Sequence, residues 1–330
     1  MFFYAIGIDH NNASLEIREA AIRKKAQVSD YLTRIKQADI AALFTCNRVE
    51  IYGIADNYDE AKSIDKSLRI LFPDIFKDAY LLLGRDEVFK HGVRLALGLE
   101  SYLRGEYQIF LQIENWARKE SLTYELRAFW NEIMSVSKYI RKASGLDENT
   151  INIADLIFAD IAKRSEGEKS KDIIVVGTGK IADLIADRAP DWAAISFVAR
   201  KKRKKAQAFA KKVNGKAFLP DEIRDRLGCA DALISATSSP HYIFDKSYFA
   251  GLKRNRQEPL YIYDAAVPRD IEPAAADVDA VSIVDIEDIV YRCNSGNELI
   301  KTRLERAENL SEKAISAYRV NDENTNRVKA

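Results

Sequence analysis

Cys46 stands in Thr45-Cys46-Asn47-Arg48, between two apolar runs, 40–44 and 49–55, that read as strands. A thiolate is a strong nucleophile, and a cation two residues on in so tight a turn can stabilise it or pair with a carboxylate on a substrate. A cysteine by itself is more often a small buried hydrophobe, so the weight rests on these neighbours. The second segment able to do chemistry is Gly177-Thr178-Gly179-Lys180-Ile181-Ala182, directly after the β-branched run 172–177 and opening a helical stretch over 180–189. Glycines there permit a tight turn, and a helix N-terminus offers backbone N–H groups to a pyrophosphate. The alternative is a glycine turn in some other α/β fold, and the strand–turn–helix context argues against it.

NAD-binding units usually place an acid at the end of the next strand to hold the ribose hydroxyls. Here that strand, 195–199, is followed by Arg200 and Lys201, which favours NADPH. Basic residues 203–205 read instead as a solvated helix start. His91 taken alone is as readily a satisfied core or surface histidine as a functional one.

The elements that must position these residues are readable from periodicity. Strands are expected at 2–8, 40–44 and 49–55, with a helix over 13–25. Residues 59–143 read as mostly helical, interrupted near Gly84 and around Gly98 to Gly105. A helix over 153–164 lies in a connector. Strands at 172–177, 195–199, 232–236, 260–263 and 281–284 then recur at intervals suited to a doubly wound parallel sheet. From 286 to about 318 the chain is polar and helix-favouring, and a disordered tail is expected beyond it.

A length of 330 residues fits two or three domains, each able to bury a core. With 51 basic against 50 acidic side chains, whole-molecule charge gives no case for nucleic-acid binding, so a polyanion must meet a local patch. Three cysteines without a C-x-x-C pair speak against a zinc site or a disulfide scaffold and suit a reducing cytoplasm. No run approaches the ~18 apolar residues of a membrane span, and the expected location is cytoplasmic.

Ala42-Leu43-Phe44-Thr45-Cys46-Asn47-Arg48-Val49-Glu50-Ile51-Tyr52 resembles the T-C-N-R-x-E-I-Y signature of glutamyl-tRNA reductases. A second block, from His91 through Arg94, Gly98, Ser101, Gly105, Glu106 and Gln108 to Gln112, is similar to that family's H-x-x-R-x-x-x-G-L-[DE]-S-x-x-x-G-E-x-Q-I-x-x-Q. A third, Asp264 to Pro273, resembles D-x-A-V-P-R-D-I-x-P. The likeness runs from about residue 4 to residue 315, in family order.

The resemblance implies an α/β chain in three parts: a catalytic glutamyl-tRNA-binding domain at 1–150, a Rossmann-type NADPH-binding domain at 151–285, and a spinal helix with a shortened dimerisation region at 286–330. It implies Cys46 as nucleophile and His91 near the resulting thioester. Arg48 would be the ligand for the glutamate side-chain carboxylate, with Thr45, Asn47, Ser101, Glu106, Gln108 and Gln112 shaping the pocket. Gly177, Thr178, Gly179, Lys180, Ile181 and Ala182 match the cofactor turn, and Ser235 and Thr237 the strand end beside the nicotinamide. Glutamyl-tRNA and NADPH are thus the expected substrate and cofactor, with no metal and no membrane, and glutamate-1-semialdehyde aminomutase as a candidate partner. An ester is a poor hydride acceptor and a thioester a better one, which is the chemical reason for the cysteine.

Tyr107, Arg104, Phe110 and Lys180 depart from the family pattern. Only about 45 residues follow Asp285, so the family's usual dimer is not assigned. Two other readings remain open: a non-catalytic tRNA-binding or regulatory relative of the same fold, and a different NADP-dependent Rossmann oxidoreductase.

Overall fold

The computed structural model describes residues 1–35, 39–118, 122–148, 150, 152–164, 170–199, 203–252, 258–284, 287, 289–291 and 298–329, with 298–299 and 320–329 described by their backbone alone. The chain divides into two units, one comprising Met1–Thr150 with Asn294–Ala330, the other Ile151–Cys293.

In the first unit β1 (Phe2–Asp9), β2 (Ile40–Phe44), β3 (Arg48–Ala55) and β4 (Tyr80–Leu83) form an antiparallel sheet in the order β2-β3-β1-β4. One face carries Tyr4, Ile6, Ile8, Val49 and Ile51 and packs with residues of α1 (Leu15–Arg23), α2 (Lys25–Arg34), α3 (Tyr58–Leu71) and α4 (Pro73–Phe76). The other carries Phe3, Ala5 and Tyr52 and meets α5 (Arg85–Ala96), α6 (Tyr107–Ala117) and α7 (Tyr124–Ser144). Successive strand residues face opposite ways, so Arg48, Glu50 and Tyr52 share the second face.

β4 corrects the helical reading of 59–143. Tyr80 to Leu83 is too short for helical periodicity to show, and its backbone is satisfied by pairing with β1, Tyr80 opposite Gly7. The long α7 begins at Thr123, whose hydroxyl accepts from Leu126 N–H, and stops at Gly145 with φ 80°. Its buried Leu126, Phe129, Trp130, Ile133, Ile140 and Arg141 follow three- and four-residue spacing.

The second unit holds α8 (Ile153–Arg164), β5 (Lys171–Val176), α9 (Lys180–Asp187), β6 (Ala193–Val198), α10 (Arg203–Lys212), β7 (Lys216–Phe218), α11 (Arg224–Leu227), β8 (Ala232–Ser235), α12 (Lys246–Ala250), β9 (Leu260–Asp264) and β10 (Val281–Val284). Its six strands are parallel in the order β10-β9-β8-β5-β6-β7. That is the doubly wound 3-2-1-4-5-6 order with its switch point between β5 and β8. The three-residue β7 was not expected from the sequence.

The last helix, α13 (Glu298–Lys329), continues past the point where a disordered tail was expected. It buries Leu304, Ala307 and Ile315, and the Tyr318 ring stacks on Phe89 of α5 at 3.6 Å. Glu308 accepts from Arg104 at 2.6 Å. These contacts place the helix within the first unit. The expected helix residues 286, 288 and 292–297 lie outside the described residues.

Candidate active site

Thr45 closes the turn that carries the cysteine. Its N–H donates to the Arg48 carbonyl at 3.0 Å, and its hydroxyl accepts from the N–H groups of Asn47 and Arg48 at 3.2 Å each. Cys46 is exposed at this turn. The sulfur is nonetheless crowded by protein, and that desolvation, reinforced by Glu106, pushes its thiol up to about 11; Arg18 and Arg48 pull the other way. Exposure governs access to the sulfur and crowding its charge, so the thiol form dominates at neutral pH.

Behind the turn lies a buried ionic network. Glu50 Oε1 accepts from Arg48 Nη1 at 2.8 Å and from the Tyr80 hydroxyl at 2.5 Å, and Oε2 accepts from the Tyr52 hydroxyl. Register explains the meeting of Glu50 with Tyr80: Gly7 stands opposite both, on the strand between theirs. A Cβ at Gly7 would lie 2.6 Å from the Tyr80 oxygen and 2.9 Å from Glu50 Cγ, so glycine is what opens the row.

His91, from α5, joins its Nε2 to Glu50 Oε1 at 3.2 Å and its Nδ1 to Glu100 Oε2 at 2.7 Å. Burial opposes its charge, but the two carboxylates outweigh burial and push it up to about 10. His91 is therefore an imidazolium with both nitrogens donating, a fixed cation rather than a base. Burial likewise opposes charge on Glu50, and Arg48 and His91 hold it well below the carboxylate range. Arg48, 1 % exposed, also donates to the Glu100 carbonyl and lies 3.9 Å from Asp9.

Glu100, Ser101 and Glu106 sit on a loop that Gly98 folds back. Gly98 adopts φ 72°, its carbonyl accepts from Gly105 N–H at 2.9 Å, and an added Cβ would lie 3.0 Å from Glu106 backbone atoms. Arg141 fastens the loop by donating to the carbonyls of Leu97, Gly105 and Glu106 at 3.2–3.3 Å. Burial raises the Glu106 carboxyl against a hydrogen bond from Ser101 and the charges of Arg48 and Arg141. Gln108 and Gln112 are half-buried one turn apart on α6. The departures Tyr107 and Phe110 stack on each other and receive the Arg141 guanidinium at 5.0 and 5.6 Å.

The sequence reading did not assign roles to Gly7, Asp9, Glu50, Tyr80 or Glu100. The alternation Arg48-x-Glu50-x-Tyr52 was available as a signal for Glu50, whereas Tyr80 needed β4 to be seen as a strand.

In the second unit Gly177 has φ 120°, and a Cβ there would lie 2.3 Å from the Ala236 carbonyl oxygen, so only glycine lets the ends of β5 and β8 approach. Gly179 precedes α9, exposed Lys180 and half-buried Ile181 begin it, and Ala182 is fully buried. Thr178 is half-buried between the two glycines. A glycine turn that leads from a parallel strand into a helix N-terminus fits a dinucleotide pyrophosphate.

Ser235 Oγ donates to Asp270 Oδ2 at 2.7 Å, and Thr237 donates to Asp270 through its N–H at 2.9 Å and its hydroxyl at 2.6 Å. Asp264 is pushed up to about 7 by burial and by Asp270, against N–H donation from Ile271 and Ala266. Arg200 and Lys201 lie outside the described residues. Among the described residues no group of three or more His, Cys, Asp or Glu side chains is placed to hold a metal ion, and no helix is long and apolar enough to cross a membrane.

A doubly wound parallel sheet with a glycine cradle at its switch point, joined to a unit that presents a cysteine above a buried ionic network, defines a nicotinamide-dependent oxidoreductase. Residues 6–144 match the family described as glutamyl-tRNAGlu reductase, N-terminal domain, and residues 160–291 match shikimate / quinate 5-dehydrogenase. The glutamyl-tRNA reductase of Marinobacter nauticus is 32 % identical over 88 % of this chain and 70 % of its own length. That of Moorella thermoacetica is 30 % identical over 88 % and 69 %, and that of Chromohalobacter salexigens 29 % identical over 96 % and 78 %. The solved glutamyl-tRNA reductase from Methanopyrus kandleri aligns over 98 % of this chain and 81 % of its own at 26 % identity, with a TM-score of 0.49. The chain belongs to the glutamyl-tRNA reductase family.

Proposed function

We propose that this protein reduces the glutamate of glutamyl-tRNA to glutamate-1-semialdehyde with NADPH, through a thioester on Cys46, as the entry step to tetrapyrroles. The observation that carries the reading is the exposed Cys46, held by a closed turn whose last residue, Arg48, is anchored in the buried network. In this reading residues 1–150 bind glutamyl-tRNA, 151–285 hold the cofactor, 286–330 form the spinal helix, and the protein works in the cytoplasm.

The Cys46 thiol gives up its proton to solvent, and the sulfur adds as thiolate to the ester carbonyl carbon, forming a C–S bond. The C–O bond to the tRNA ribose then breaks, and the departing oxygen takes up a proton. When bound, reduced nicotinamide supplies the hydride that converts the thioester to aldehyde, and cleavage of the C–S bond returns the thiolate. Arg48 selects glutamate over glutamine by charge; because its side chain is 1 % exposed and engaged with Glu50 and the Glu100 carbonyl, direct contact with the substrate carboxylate requires the side chain to leave part of that network. Thr45 and Asn47 shape the turn, and Ser101, Glu106, Gln108 and Gln112 line the glutamyl pocket. His91, held charged, contributes a fixed positive field rather than proton abstraction.

Gly177, Thr178, Gly179, Lys180, Ile181 and Ala182 cradle the pyrophosphate, and Ser235 and Thr237 form the strand end at the nicotinamide. Arg200 and Lys201 favour the 2′-phosphate. The reactive aldehyde product suits transfer to glutamate-1-semialdehyde aminomutase. Purified protein incubated with glutamyl-tRNA and NADPH is expected to yield aldehyde, and Cys46→Ser to yield none. Aldehyde formed equally by the serine variant would rule out the thioester route. Its absence in both would favour a binding or regulatory relative.

A further inference from the structure

Arg18 is a buried cation that the mechanism above leaves unused. It projects from α1, is 4 % exposed, and its Nη1 donates to Asn47 Oδ1 at 3.3 Å, joining residues 29 apart in sequence. A guanidinium can only donate, so the amide oxygen of Asn47 must be the atom that faces it. That choice presents the other end of the amide, Nδ2, as a donor in the residue next to the nucleophile. The Asn47 N–H is already committed to Thr45 Oγ1 at 3.2 Å, so the residue is held at backbone and side chain together.

We propose that Arg18 is a positioning residue of the nucleophile turn: it fixes Asn47 so that Nδ2 can donate to the oxyanion formed on attack, and it places a positive charge beside the ionising sulfur. The inference rests on Cys46 being the nucleophile. Three charged groups act on that sulfur from the elements around it. Glu106, at the start of α6, disfavours the thiolate, while Arg18 from α1 and Arg48 from β3 favour it. Arg48 is engaged with Glu50 at 2.8 Å, and Arg18 brings a second positive charge to the turn from a different element. As the thiolate adds to the ester carbonyl, negative charge moves from sulfur to the carbonyl oxygen, and an amide whose oxygen is already held by Arg18 needs less reorganisation to donate there.

The test reads alkylation of Cys46 by iodoacetamide against pH in the full chain, by mass spectrometry of its peptide, with Cys229 as the internal control. Arg18→Gln and Arg18→Met remove the charge, and Arg18→Lys keeps it. The first two are expected to raise the midpoint for Cys46 by on the order of one pH unit, lowering its rate below the midpoint about tenfold, with Cys229 unmoved. The lysine variant is expected to stay near the wild-type midpoint. Either an unmoved midpoint in a charge-removing variant with native near-UV circular dichroism, or a lysine variant shifted by a full unit, overturns the proposal. The second result decides the matter should both charge-removing variants fail to fold. Alkylation needs no substrate, so this outcome is separable from failure of the thioester route, which is read from glutamyl transfer to Cys46.

Discussion

Nη1 of Arg48 lies 2.8 Å from Oε1 of Glu50, with 1 % and 0 % of the two side chains exposed. The same carboxylate takes the hydroxyls of Tyr52 and Tyr80 and faces His91, so its charge is matched on every side. Glu50→Gln leaves Arg48 buried without its nearer ion partner, with only Asp9 at 3.9 Å, and is expected to cost about 3–5 kcal/mol in urea denaturation at neutral pH. A cost below about 1 kcal/mol, as for an exposed pair, would show that the network is not closed to water.

His91 gives the protein a pH dependence whose sign is fixed. In the unfolded chain the ring loses its proton near 6.5, whereas in the fold it holds it to about 10. Its contribution is complete below 6.5 and is lost as pH rises through 10. The melting temperature is expected to fall across that window, and His91→Gln to flatten the fall. Identical slopes in the two proteins would show that the imidazole is neutral in the fold.

Much of this arrangement was legible in the residues. The parallel sheet follows from β-branched runs at regular intervals, and the cradle from Gly177 and Gly179 standing between a strand and a helix. The Cys46 turn was placed because strand patterns on both sides leave only Thr45 to Arg48 between them. Local patterning could not supply partners distant in sequence. Glu50 meets Tyr80 only because both pair opposite Gly7, and His91 meets Glu100 only because Gly98 turns the chain back. Charge on His91 is likewise a product of tertiary neighbours, which is why its residue type left the role open.

Gly177→Ala tests the cofactor cradle. The methyl would sit 2.3 Å from the Ala236 oxygen at a backbone angle that L-residues rarely adopt. A destabilisation of about 1–3 kcal/mol is expected, together with at least a tenfold weaker NADPH affinity by fluorescence titration. Unchanged affinity would move the dinucleotide elsewhere.

Asp270 holds Ser235 and Thr237 through three donors while itself fully buried. Asp270→Asn puts an NH2 group among those donors and is expected to cost about 1–3 kcal/mol, with KM for NADPH rising more than KM for glutamyl-tRNA. Equal rises in both would separate this strand end from the cofactor.

The most direct measurement is to mix the protein with radiolabelled glutamyl-tRNA in the absence of NADPH, quench in acid and map the label. Glutamate is expected on the peptide containing Cys46, labile to hydroxylamine and discharged as aldehyde when NADPH is added before quenching. Label on no cysteine peptide, with aldehyde still formed in the complete mixture, would contradict the account.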